Sequence, residues 1–339
     1  MKDALLIRAP AHHALRLARN ASLAGAFRLV HFDNGPVEDT VQSGLFEECV
    51  HLFAGERPPV FEAALATARR LGVRKAIIMT PRYWYSEAVA EACRHEGVDT
   101  FWSEVSVGDR ILLDRIGCQY TEDSELVRFA DIVPVAPARP LGPTRFPQPP
   151  ERDPAALREA LTQGAERVVV VFGQVPWDHA TGSIPGGMGY LDWLNALLSR
   201  NTDTLFLFKH HPVAPTPGLE EHGHVRPVDE SIHALLGAFR CFAAFSSTVI
   251  LEGAYGGRVF ATGGRHFLDD PRLCLRVLRP EDGAGLHARL ATARPDAAAL
   301  WRRLGFISRA YLLPPESSHV LRRLTTTSED FFTKFVDRR

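Results

Sequence analysis

"RVVVVFGQVPWDHATG", Arg167–Gly182, carries five consecutive apolar residues, Val168 to Phe172, stopped by Gly173. Gln174 follows at once, and Asp178 four places later, beside Trp177. A short β-branched run without polar alternation predicts a strand buried on both faces, as in a parallel sheet. An acid just beyond the end of such a strand asks for a chemical reason.

Outward from this strand the chain alternates strand and helix. Downstream come "TLFLFK", "CFAAF" and "RVFAT" as strands, separated by the helical patterns "GYLDWLNALLSR", "SIHALLGAF" and "SSTVILEGAY". Upstream, "ALLI" from Ala4, "FRLVHF" from Phe27, "KAIIM" from Lys75 and "TFWSEV" from Thr100 read as strands. "PVFEAALATARRLG" is a helix stopping at Gly72, and "SEAVAEACRHEG" is another, with Ser86 as its expected N-cap and Gly97 as its stop. The last two helical patterns, "AAALWRRLGFISRAYL" and "SSHVLRRLTTTSEDFFTKFVDRR", follow no further clear strand. Between the two series, Pro134 to Pro154 holds eight prolines, which remove backbone donors and favour extended chain, so this stretch reads as a linker. The expected fold is α/β: two Rossmann-like domains, 1–150 and 151–339, with a cleft between them.

Composition narrows the function. At 339 residues the chain has length for two domains, and its net charge of −1 supplies no basic field for nucleic acid. Five dispersed cysteines (Cys49, Cys93, Cys118, Cys241, Cys274) form no Cys-x-x-Cys and no metal-like cluster, which fits a reducing compartment. The apolar core of "MKDALLIRAP" is too short for a signal segment, and no run approaches the roughly 20 apolar residues of a membrane span. The expectation is a cytoplasmic protein. The tail "EDFFTKFVDRR" mixes phenylalanines with cations, so a contact with a membrane surface stays open beside the plainer reading of a helix packed back on the domains.

Ligands of open parallel sheets bind outside the carboxyl ends of the strands. Three second-half strands end in polar groups there: Gln174 and Asp178 after the first, Lys209-His210-His211-Pro212 after the second, and Ser246-Ser247 with Glu252 after the third. A lysine and a histidine can neutralise phosphate, serine hydroxyls add donors, and a glutamate can accept from ribose hydroxyls. Each piece alone has an ordinary structural explanation: a cap for the serines, a core role for the histidine, a turn for Asp178. Together they suit a nucleotide-activated substrate. The chain has no P-loop, no Gly-x-Gly-x-x-Gly after the first strand and no Asp-x-Asp pair, so no metal-bridged diphosphate is indicated.

In order and spacing, "GQVPWDHA", "KHHP" and "SSTVILEG" resemble the motifs of the bacterial retaining β-Kdo glycosyltransferases of capsule and O-antigen assembly. The resemblance runs from about Val168 to Gly264. It implies a GT-B fold, with an acceptor-side domain first and a donor domain second. It also implies a CMP-Kdo donor, a saccharide or lipid-linked saccharide acceptor, no metal or other cofactor, and β linkage through a covalent aspartyl-sugar intermediate. Asp178 would be the nucleophile, Lys209 and His211 would hold the CMP phosphate, and Ser247 with Glu252 would anchor the nucleotide. Glu104, in "FWSEVSVGDR", best fits the acid expected from the first half, although the Glu-Asp-Gly-Phe-like wording of the capsule branch is absent. Arg82, Arg110 and Arg265 are open candidates for the sugar carboxylate. Work beside the inner membrane, with other polysaccharide-assembly proteins, fits such a role.

Three rivals stand beside this one. A CMP-sialic acid transferase would use "HHP" and "FSST", but its acidic triplet belongs upstream of His-Pro, whereas Glu281-Asp282-Gly283 lies downstream. A nucleotide-sugar epimerase or hydrolase would turn over donor without acceptor. An assembly subunit would bind nucleotide without turnover.

Overall fold

The computed structural model describes residues 2–33, 38–52, 54–79, 84–106, 110–116, 124–130, 153–176, 184, 186–212, 215–219 and 222–336. Asp178, Arg82, Cys118 and the Pro-rich stretch up to residue 152 lie outside these residues. The chain divides into two units, Met1–Gly142 with Gly305–Arg339, and Pro143–Leu304.

The strands are β1 (Ala4–Arg8), β2 (Arg28–Asp33), β3 (Glu48–His51), β4 (Val73–Met79), β5 (Asp99–Val105) and β6 (Ile111–Asp114) in the first unit. The second holds β7 (Val168–Phe172), β8 (Leu205–Lys209), β9 (Val225–Pro227), β10 (Phe242–Ala244), β11 (Phe260–Thr262) and β12 (Leu275–Arg276), and β13 (Leu312–Leu313) returns to the first.

The first sheet has the order β13-β6-β5-β4-β1-β2-β3. Its five strands β1 to β5 pair in parallel, while β6 and β13 add antiparallel at one edge. The second sheet, β12-β11-β10-β7-β8-β9, is parallel throughout. Renumbered within its unit, that order is 3-2-1-4-5-6 from β9 to β12, the Rossmann arrangement, and its direction of winding reverses beside β7. All five residues of β7 are buried, as a central strand covered on both faces requires. Each unit has its own apolar core, one around Leu6, Val30, Ile78 and Val89, the other around Val171, Trp193, Phe208 and Phe245.

Helices stop where the sequence predicts, at Gly72 (φ 64°) and Gly97 (φ 67°), left-handed positions that favour glycine. Ser86 is not a cap. The helix already runs from Trp84, and the Ser86 hydroxyl is buried and donates to the Met79 carbonyl (2.8 Å), tying the helix to the end of β4.

The second unit ends at Leu304 because the C-terminal segment is bound to β6. After the helix Ala297–Phe306 and a π-helical turn, Ile307–Tyr311, β13 pairs with β6 through Leu312↔Leu112. The Tyr311 hydroxyl donates to Asp114 Oδ2 (2.7 Å), and Asn20 Nδ2 donates to the carbonyls of Pro315 (2.8 Å) and Ser317 (2.9 Å). Arg323, in the helix Ser318–Thr325, is 1% exposed and is paired with fully buried Glu125, which also accepts from Ser328. Among the described residues no helix is long and apolar enough to cross a membrane.

Candidate functional site

Parallel pairing brings the carboxyl ends of β7, β8 and β10 side by side at the point where the winding reverses. Gly173 lets β7 and β8 end in contact: a Cβ there would stand 2.9 Å from the Phe208 ring and 3.1 Å from the Lys209 carbonyl oxygen. The Gly173 amide donates to that same carbonyl (2.8 Å).

Gln174 and Ser246, 72 residues apart, form a buried clasp across the ends of β7 and β10. The Ser246 amide donates to Gln174 Oε1 (3.1 Å), and Gln174 Nε2 donates to the Ser246 hydroxyl (2.9 Å). The helix after β10 opens at Val249, so the two serines precede it rather than cap it; Ser247 Oγ accepts from the Val249 amide (3.3 Å). Behind the clasp the Gln174 amide donates to the Tyr190 hydroxyl (3.0 Å), which bonds Thr216 Oγ1 (3.0 Å). The Thr216 amide in turn donates to His210 Nδ1 (3.2 Å). A nitrogen that accepts cannot carry the proton, so this contact sets the neutral His210 tautomer with its hydrogen on Nε2.

Lys209 donates weakly to the Asp229 carbonyl (3.4 Å), and His211 is half-buried just beyond it. Glu252 lies on the helix Val249–Tyr255 with its side chain 12% exposed, and His233 Nε2 stands 3.6 Å from its Oε2. Burial pushes its carboxyl up to about 7. Arg265 faces Asp269 at 3.7 Å, and Arg276 donates to the same carboxylate at 2.8 Å. A His266–Asp269–Cys274 group in this region has ligand atoms within 4.8 Å of one another, but burial first, and then Arg276 and Arg303, disfavour positive charge on His266. That field also opposes a bound cation. In the first unit Glu104 sits at the end of β5, opposite Leu112 of β6, half-buried, and Arg110 Nη1 donates to the Ser308 and Leu312 carbonyls (both 3.2 Å).

The sequence reading therefore selected Gln174, Lys209, His211, Ser246, Ser247 and Glu252 from strand ends that do adjoin. It missed Tyr190 and Thr216, and gave no role to His210, although these three support them. The doublet Gly263-Gly264 was also passed over, although two glycines directly after a strand signal close packing. Both amides donate to the Phe245 carbonyl (3.3 and 2.9 Å), holding the end of β11 against the end of β10.

No protein-family model matches the chain, and no curated protein matches it in sequence. Solved structures do. KpsC from Thermosulfurimonas dismutans, a beta Kdo 2,7 transferase, superposes with a TM-score of 0.50 at 11% identity, covering 90% of each chain. A UDP-N-acetylglucosamine 2-epimerase from Rickettsia bellii gives 0.47 at 12% identity, covering 97% of each chain. The spinosyn rhamnosyltransferase SpnG gives 0.46 at 11% identity, over 96% of this chain and 100% of that one. With two parallel-dominated α/β sheets, this chain has the GT-B-like fold of two Rossmann-like domains.

Proposed function

We propose that the chain is a glycosyltransferase moving Kdo from CMP-Kdo to a saccharide or lipid-linked saccharide acceptor with retention, in capsule or O-antigen biosynthesis. The observation that carries this reading is the meeting of the Gln174, Lys209–Pro212 and Ser246–Gly253 motifs on three adjoining strand ends at the winding reversal. That is where an open α/β sheet takes a nucleotide. A fold shared with a beta Kdo 2,7 transferase is consistent with it.

In this reading the Asp178 carboxylate attacks the anomeric carbon as the bond to the CMP phosphate breaks, and CMP leaves with the bonding pair. Lys209 and His211 offset the charge that grows on the phosphate oxygen. The acceptor hydroxyl then attacks the same carbon, its proton passes to Glu104, and the Asp178–sugar ester is released. Two inversions restore the starting configuration. Gln174 and Ser246 hold the floor of the donor site, while Ser247 and Glu252 anchor the nucleotide. No step uses a metal. The donor would reach the protein in the cytoplasm, and a lipid-linked acceptor would be met at the inner face of the cytoplasmic membrane.

The test is intact-protein mass spectrometry after exposure to CMP-Kdo, CMP-sialic acid, and UDP- and GDP-sugars. A sugar adduct is expected from CMP-Kdo with the wild type and not with Asp178→Ala. An adduct that survives the substitution removes Asp178 from this role. Release of CMP with stoichiometric free sugar and no acceptor makes the protein a hydrolase, and turnover of CMP-sialic acid makes it a sialyltransferase.

A further inference from the structure

The first sheet gathers soft ligands where the sequence shows only scattered residues. His31 on β2 lies directly opposite Cys49 on β3, and His51 follows Cys49 by two residues, so all three share one face of the sheet. The Cys49 sulfur and one ring nitrogen from each histidine lie within 4.8 Å of one another. Asp33, opposite His51, places a carboxylate at the same end of the sheet, with Arg8 Nη2 at 3.8 Å.

His31 is the telling residue. It is 0% exposed, and its Nε2 stands 2.8 Å from the Ala9 carbonyl oxygen, which can only accept. That contact puts the ring hydrogen on Nε2 and leaves Nδ1 with a bare lone pair. Nδ1 is buried and has no hydrogen-bond partner among the described residues. A metal-bound histidine is held in this way, its second nitrogen donating to a backbone carbonyl. A buried, unsatisfied acceptor otherwise destabilises the fold with nothing to offset it. Cys49 is in no disulfide.

We infer that His31, Cys49 and His51 form a binding site for a soft divalent cation of the zinc class, clamping β2 to β3 with one coordination position left open. One thiolate and two imidazoles select zinc over the hard oxygen-seeking cations. Tetrahedral bonds of about 2.0–2.3 Å place ligand atoms roughly 3.3–3.8 Å apart, a spacing that falls inside the 4.8 Å within which these three atoms lie. Cys49 and His51 are half-buried, while His31 is fully buried and held at Nε2 by the Ala9 carbonyl. The inference stands apart from the glycosyl-transfer reading, since every ligand is in the first unit and none belongs to the donor motifs.

Cobalt(II) is the probe, titrated into the full-length protein after chelation and then displaced by zinc. One equivalent is expected to bind with thiolate-to-cobalt charge-transfer absorption, in the wild type and in Cys274→Ser, and to give no such band in Cys49→Ser. Zinc should abolish the band and raise the melting temperature of the wild type but not of Cys49→Ser. His51→Gln keeps the sulfur and should weaken binding by more than about tenfold. If Cys49→Ser fails to fold, His51→Gln decides alone, and unchanged affinity overturns the site. No charge-transfer band in the folded wild type, a band that persists in Cys49→Ser, or one lost in Cys274→Ser would each overturn it as well.

Discussion

Gln174 stands out in the sequence at the end of a strand, but the pairing with Ser246 that fixes it there does not. Its amide group both accepts from and donates to Ser246. Gln174→Ala would leave the buried Ser246 amide without this acceptor, so a loss of about 1–3 kcal/mol is expected in urea unfolding. Ser246→Ala keeps the backbone half of the clasp and should cost less, and the double variant should cost less than the two single losses added together, because they share one interaction. Glu252 makes a pH-dependent prediction. Its carboxyl is raised from 4.5 to about 7, so between those values the folded chain retains a proton that the unfolded chain has lost. Stability from this group therefore falls as pH rises through that window and is level above it. Glu252→Gln should match the wild type in thermal melts near pH 4.5 and exceed it at pH 8, by about 3 kcal/mol at most.

At the scale of the element, the end of β11 is set by packing. A Cβ on Gly263 would come within 2.3 Å of Trp193 Cδ1 and 2.8 Å of Phe245, both central to the second core. Gly263→Ala should destabilise by about 1–3 kcal/mol or more through overpacking, read as a lower urea midpoint. Tyr190→Phe makes a complementary test in the same core, at the end of β7. It keeps the ring against Trp193 and Phe245 but takes away the oxygen that accepts from the Gln174 amide. A loss of about 1–3 kcal/mol is expected from that one missing acceptor. Strand β7 was legible because four valines and a phenylalanine cannot be mistaken for a solvated segment. Strands β9, β12 and β13 were not, since two or three residues carry no period; pairing with a longer neighbour makes them strands.

For the molecule as a whole, the C-terminal segment is part of the first unit's core. Arg323 pairs with Glu125, donates to the Leu113 carbonyl (3.1 Å) and lies over the Phe101 and Phe332 rings. Removing one partner strands a buried charge, so Glu125→Ala and Arg323→Ala should each cost about 3–5 kcal/mol, while Glu125→Leu with Arg323→Met should recover much of the loss. Calorimetry should place that loss in the transition of the first unit. A chain cut after Leu304 should likewise lose the first unit's transition and retain the second's.

By itself the sequence determined the alternation of strand and helix, hence two Rossmann-like domains, and the polar residues at the strand ends that the proposed function uses. These follow from local chemistry: apolar runs must be buried, helical periods must find a core, and strand tips in parallel sheets face solvent. Only the tertiary structure decided which distant residues touch. Gln174 meets Ser246 across 72 residues, Arg323 meets Glu125 across 198, and His31 meets Cys49 through strand register. Such contacts leave no period in the chain, because a pairing between strands or a buried ion pair is a property of the folded packing and not of either segment alone.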